Sequence, residues 1–112
     1  LVYTDTLLTN QFNEAVNIKA LSIFGGVSKC QAPKTVKLFV NQNSLDFNDA
    51  ESHEAAQELT LSSDNVQGNK IELRQVRFKN VRSLHILVKD NQDGEETTRI
   101  DSLDLFGTLA SA

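Results

Sequence analysis

The sequence predicts an all-β sandwich, and three observations carry that prediction. The first is a phrase used three times. Residues 100–107 read Ile-Asp-Ser-Leu-Asp-Leu-Phe-Gly, residues 18–25 read Ile-Lys-Ala-Leu-Ser-Ile-Phe-Gly, and residues 81–86 give a partial copy, Val-Arg-Ser-Leu-His-Ile. The shared pattern is aliphatic-x-x-Leu-x-aliphatic. Apolar residues two apart belong to a strand, and the offset that precedes them reverses the face, which requires a bulge or a bend. A helix would repeat the spacing at i+7 and i+8, whereas here the pattern stops in glycine or polar sequence. The second observation is a series of about seven or eight short apolar alternations separated by turn residues, the rhythm of a sandwich. The third is the lack of any convincing helical period, with only residues 50–57 suited to a turn or two.

Taken in order, Leu7 to Phe12 predicts a short strand and Asn13-Glu14 a turn. Val16, Ile18, Leu21 and Ile23 form the next strand, closed by Gly25-Gly26. A loop follows to Pro33, the only proline. Thr35 to Asn41 alternates, with Val36, Leu38 and Val40 on one face. Phe39 lies on the other, which predicts cover on both sides. Residues 42–56 form the longest irregular stretch, and loops of that length are usually functional or packed by their own side chains. Glu58 to Leu61 is a short strand, followed by Ser62-Ser63-Asp64-Asn65. Ile71 and Leu73 begin an alternation that Val76 and Phe78 continue after a parity change. Asn80 turns the chain into a strand with Leu84, Ile86 and Val88 on one face and His85 on the surface. Asp90 to Glu96 is a hairpin loop with Asp93-Gly94 at its tip, and Thr97 to Phe106 is the last strand.

A chain of 112 residues makes one domain and buries about 65% of its unfolded surface, enough for one core without staples. The single cysteine, Cys30, excludes an internal disulfide framework and favours a reducing, intracellular setting. No run is long and apolar enough to span a bilayer as a helix, and no basic-then-apolar secretory segment is present. The net charge of −4 argues against a general nucleic-acid binder. The charges are segregated: five acids and no base in residues 46–58, six bases against Glu72 in 70–89, and six acids against Arg99 in 90–104. Alternating charges on water-facing strand positions account for this by helping register; a polar docking surface for a protein partner is the sharper alternative.

Residues that could carry chemistry are sparse. Cys30 sits beside Lys29 but has no histidine or second cysteine near it in sequence. Gly25-Gly26 is not followed by a phosphate-loop Lys-Ser/Thr pair. Asp49, Glu51 and His53 alternate, yet zinc sites ask for three or four His or Cys ligands at tighter spacing. The acids at 90–96 lack the calcium-loop pattern. No metal, cofactor or catalytic residue is therefore assigned, and the expectation is a protein without enzymatic activity. Carbohydrate binding, the alternative function for a small sandwich, commonly uses exposed Trp or Tyr; this chain has no Trp and only Tyr3. Phe12, Phe24, Phe39, Phe78 and Phe106 lie in strand patterns and are assigned to the core, while Phe47 either plugs one end of the sandwich or anchors an interface. Arg74 shares parity with Val76 and Phe78, so it is expected to turn inward and to pair with Asp101 or Glu96.

Four segments in this order resemble a known family: Pro33-Lys34-Thr35-Val36-Lys37-Leu38-Phe39-Val40-Asn41; Ser44-Leu45-Asp46-Phe47-Asn48-Asp49-Ala50-Glu51; Val76-Arg77-Phe78-Lys79-Asn80-Val81-Arg82-Ser83-Leu84; and Asp90-Asn91-Gln92 running into Glu95-Glu96-Thr97-Thr98-Arg99-Ile100. Together they resemble the PITH domain, a proteasome-interacting domain found at the C-terminus of thioredoxin-like proteins and in stand-alone relatives. The similarity covers about residues 7–107, and Glu-Glu-Thr-Thr-Arg-Ile is its most specific piece. The resemblance implies a jelly-roll sandwich of the galactose-binding-like type, residues 1–112 as a single domain lacking its N-terminal segment, and association with 26S proteasome subunits in the cytoplasm and nucleus. It also implies that any redox chemistry belongs to a thioredoxin domain in the same full-length protein, since no Cys-x-x-Cys occurs here. The loop at 25–32 departs from the glycine-rich loop of the family. Within this frame the expected protein-binding surface is Asp90, Asp93, Glu95, Glu96, Thr97, Thr98 and Arg99 with Asp46, Phe47, Asp49 and Glu51, because polar loops at one end of a rigid sandwich are where such scaffolds place function.

Overall fold

The computed structural model describes residues 2–3, 6–25, 32–42, 54–92 and 98–110. Its strands are β1 (Val2–Tyr3), β2 (Thr6–Phe24), β3 (Thr35–Val40), β4 (Gln57–Thr60), β5 (Ile71–Glu72), β6 (Val81–Val88), β7 (Thr98–Arg99) and β8 (Ser102–Leu109), with a 3-10 turn at Gln75–Arg77. All the strand pairs are antiparallel. The fold is the β-sandwich that the alternations predict, compatible with the galactose-binding-like jelly roll.

One strand joins the two layers. The first half of β2 pairs with β6, from Thr6↔Val88 to Gln11↔Ser83, and completes the layer β4-β3-β6-β2. The second half pairs with β8, from Val16↔Leu109 to Phe24↔Ser102, and with β5 on its other edge. The register breaks between Gln11 and Val16, where the sequence places a turn at Asn13-Glu14. The extended backbone continues through the kink and pairing resumes at Val16↔Val81, so the two strands expected there form one bent strand. A strand that passes from one layer to the other in this way makes a sandwich corner.

The core lies between the layers. Val36 and Leu38 of β3, Leu84, Ile86 and Val88 of β6, and Ile18, Leu21 and Ile23 of β2 are buried together with Phe78, Val81 and Ile100, and Leu103 and Leu105 of β8 pack against them. The three copies of the repeated phrase reverse face in three ways. In the first, Ile18 stands opposite Gly107 and Ala20 opposite Phe106, so Lys19 is the extra residue of a β-bulge and both Ile18 and Leu21 reach the core. The bulge presses the backbone of Asn17 and Ile18 onto Gly107, where a Cβ would collide with the Asn17 carbonyl oxygen. In the copy at 81–86, the N–H groups of Arg82 and Ser83 both donate to Asn41 Oδ1, at 2.7 and 3.4 Å. Asn41 itself adopts a left-handed conformation, with φ of 57°. In the last copy the chain bends at Asp101, whose N–H donates to the Phe24 carbonyl at 2.7 Å.

Three expectations are corrected. Val76 and Phe78 do not extend a strand: the 3-10 turn intervenes, leaving Phe78 buried and Val76 78% exposed. The last strand is divided, with Thr98–Arg99 pairing β1 and Ser102–Leu109 pairing β2. Phe106 faces outward across from Ala20 and is exposed. Phe39 and Leu87, by contrast, form a second buried cluster on the outer face of β3 and β6, against Leu7 and Ala55, as the cover predicted for both sides of β3 requires.

Candidate functional site

The loop after β6 begins on firm ground. Asp90 is exposed, but its Oδ1 accepts the Thr35 N–H at 2.7 Å and its carbonyl accepts the Lys34 N–H at 3.0 Å. Asn91 is buried and bridges Pro33. The Gln92 N–H donates to the Ala32 carbonyl, and its side-chain Nε2 donates to the carbonyls of Pro33 and Leu61, each at 2.9 Å. Residues 90–92 are therefore sewn onto the chain segment that enters β3. Such side-chain bonds to backbone carbonyls satisfy groups that no strand pairs. Of the sequence-predicted binding residues, Asp90 is placed here and Thr98 and Arg99 lie in β7, paired with Tyr3 and Val2. Asp93, Glu95, Glu96, Thr97, Asp46, Phe47, Asp49 and Glu51 lie outside the described residues, as do Cys30 and His53.

A polar group that sequence reasoning missed lies on the outer face of the β3-β6-β2 layer. His85 is 4% exposed and not a surface residue. It stands in register with Thr9 of β2 and Phe39 of β3. Its Nδ1 is 3.0 Å from Thr9 Oγ1 and its Nε2 is 3.2 Å from Ser83 Oγ. Burial pushes its pKa below the usual histidine value, partly opposed by a hydrogen bond with the Gln42 backbone. The expectation failed because parity marks only the face, and here both faces of β6 are covered. Cross-strand register alone could have put Thr9 beside His85.

The Ser83–His85 contact is a hydroxyl on an imidazole, the pairing that activates a serine nucleophile. The group behind the ring is the Thr9 hydroxyl, which can orient an imidazole but carries no charge to stabilise its protonated form. The backbone N–H groups of Arg82 and Ser83 both donate to Asn41 Oδ1.

Arg74 also departs from expectation. It is exposed, not turned inward, so its guanidinium pays no burial cost that an acid would have to offset. Its backbone N–H donates to Gln57 Oε1 at 2.8 Å. An apolar depression of about 290 Å³ is lined by Phe12, Val16, Ile18, Leu105, Phe106 and Leu109. Lys70 Nζ sits 4.4 Å above the Phe106 ring, a cation–π contact that occupies a face a sugar would stack on. Among the described residues no three His, Cys, Asp or Glu side chains gather as a metal site, and no helix is long and apolar enough to cross a membrane.

Comparison with known proteins agrees with the segments noted in the sequence. The family model described as PITH domain matches residues 4–112. Thioredoxin-like protein 1 of Schizosaccharomyces pombe is 42% identical over 103 residues, a match covering 86% of this chain and 34% of that protein. The chain thus spans about a third of the length of this curated relative.

Proposed function

The chain belongs to the PITH domain family, and from that premise we propose that it is a non-catalytic protein-interaction domain that associates with the 26S proteasome. The observation that carries the proposal is the family match, which extends over nearly the whole chain. The architecture supports it: Asp90–Gln92, the residues that precede the acidic segment in sequence, are locked onto Ala32–Thr35 and Leu61 and form a fixed base. A recognition loop mounted on a rigid scaffold loses less freedom on binding. A thioredoxin-type domain in the same full-length polypeptide is the companion we propose from the relative's name, with the cytoplasm and nucleus as the compartments.

The test is capture of purified 26S proteasome on the immobilised chain. Recovery of proteasome subunits, reduced by charge reversal at Asp93, Glu95 and Glu96, is the expected result. No recovery at micromolar concentrations of both would overturn the proposal.

A further inference from the structure

Residues 73–82 read Leu-Arg-Gln-Val-Arg-Phe-Lys-Asn-Val-Arg, without one acid in a chain whose net charge is −4. The structure makes this stretch a rigid projection. Leu73 and Phe78 are buried at its two ends. The Leu73 N–H donates to the Lys19 carbonyl at 2.9 Å, the Ile18 N–H donates to the Phe78 carbonyl at 3.0 Å, and the Asn80 N–H donates to Asn17 Oδ1 at 3.1 Å. All three bonds fasten the stretch to the bulge of β2. Between them the 3-10 turn closes on itself, with the N–H groups of Arg77 and Phe78 donating to the carbonyls of Arg74 and Gln75, and the Arg74 N–H is held by Gln57. The backbone is pinned at both ends, while Arg74, Gln75, Val76 and Arg77 all stand exposed.

The side chains on this projection are unusual for a mere connection. Val76, 78% exposed, forgoes burial worth about 1.5–3 kcal/mol for a side chain of its class. Four exposed cations flank it, Arg74 and Arg77 on the turn, Lys79 just beyond it and Lys19 on the strand that holds it, against one exposed neighbouring acid, Glu72. One acid against four cations leaves a positive excess, which physiological salt screens only beyond roughly 8 Å. We propose that the pinned turn Arg74–Arg77, with Lys19 and Lys79, is a docking site for an acidic polypeptide segment that carries an apolar side chain between its acids.

The acids answer the cations and the apolar side chain answers Val76; arginine forks add geometry to the charge pairing. A nucleic acid fits less well. The chain as a whole repels a polyanion, and single strands are held by bases stacked on aromatic rings, whereas Phe106, exposed across from Ala20, already carries Lys70 over its ring. The turn is ordered before binding, so little conformational entropy is lost when it docks. The inference goes beyond the proteasome proposal and does not require it.

The experiment is fluorescence anisotropy with the chain titrated into labelled Glu-Glu-Leu-Glu-Glu-Leu, into the same peptide with Ser for Leu, and into a labelled oligo-dT. Saturable binding of the first peptide is expected, weakened by at least about tenfold in Arg74→Glu/Arg77→Glu, weakened several-fold by Ser for Leu or by Val76→Ser, and falling with added salt. Circular dichroism melts of the variants should match the parent, because every substituted side chain is exposed. Binding unaffected by the charge reversals overturns the proposal, as does oligo-dT bound as tightly as the peptide. The same double variant in the 26S capture separates the two readings. Peptide binding lost with capture retained supports this site and leaves the proteasome surface elsewhere, whereas capture without any peptide binding by the parent overturns this site alone.

Discussion

Strand β6 from Leu84 to Val88 is buried on both faces, whereas the turn Arg74–Arg77 is exposed throughout. Both lean on β2. The difference lies in how many edges are satisfied by neighbours. β6 is paired to β2 along one edge and to β3 along the other, so its backbone is spent in two ladders and its side chains meet the core on one face and the Phe39–Leu87 cluster on the other. The 74–77 segment is hydrogen-bonded to β2 through the residues that flank it, Leu73, Phe78 and Asn80, and the bonds within the turn close locally. A ladder on both sides holds a strand flat under two layers of cover; fastening at the ends alone lets the middle rise out of the surface.

The largest effect expected from breaking this contrast is at Leu84. It is fully buried between the layers, across from Asn10 and Val40. Leu84→Ala should lower unfolding free energy by about 2–5 kcal/mol, from lost transfer energy and the cavity left behind, as read from urea denaturation. A loss under about 1 kcal/mol would mean that β6 is not the centre of the core.

Next in size is the device that starts β6. Asn41 stands in a left-handed conformation and its Oδ1 takes the N–H groups of Arg82 and Ser83, allowing Val81 and Leu84 to face the same core. Asn41→Ala removes the acceptor and strains the backbone, at about 1–3 kcal/mol for such effects together. Asn41→Gly removes the acceptor alone and should cost measurably less. Equal losses in the two variants would exclude backbone strain from the account.

A third effect appears only as pH falls. His85 is buried and its pKa is lowered by desolvation. Above the ordinary histidine pKa of about 6.5 both folded and unfolded chains hold it neutral, and it contributes no pH dependence. Below that value the unfolded chain takes up a proton that the folded chain resists. Stability therefore falls as pH drops through this window and levels off below the folded pKa. His85→Asn keeps a polar partner for Thr9 without a titrating ring. Comparing urea midpoints at about pH 7.5 and about pH 5, the parent should lose more than the variant; parallel losses would show that His85 titrates as an exposed residue.

Much of this architecture was legible in the residues. The doubled cover of β3 was readable because Phe39 interrupts the polar side of an otherwise clean alternation, and the bulge at Lys19 because Ile18 and Leu21 cannot both face the core on a regular strand. The 74–78 segment misled for the same reason that β6 did not. Val76 and Phe78 obey a period of two, but a period says nothing about whether a neighbour exists to pair with. His85 misled in the opposite sense, since the layer over its face is built from residues distant in sequence, Leu7 and Ala55 among them. The anchoring of Asp90–Gln92 was equally hidden, because its partners, Ala32, Pro33, Thr35 and Leu61, come from two other parts of the chain. Local pattern records a side chain's alternation; long-range register decides what meets it.

The smallest stability effect is expected at Val76, and it is the sharpest test of the contrast. Removing two methyl groups from a residue so exposed leaves no cavity, and alanine suits a short helical turn better than a β-branched residue does. Val76→Ala should shift unfolding free energy by no more than about 0.5 kcal/mol in either direction. A loss as large as that of Leu84→Ala would mean that the turn packs against the sandwich in solution, and the two segments would then differ in shape alone. A neutral result places the value of Val76 outside the fold, in what the surface meets.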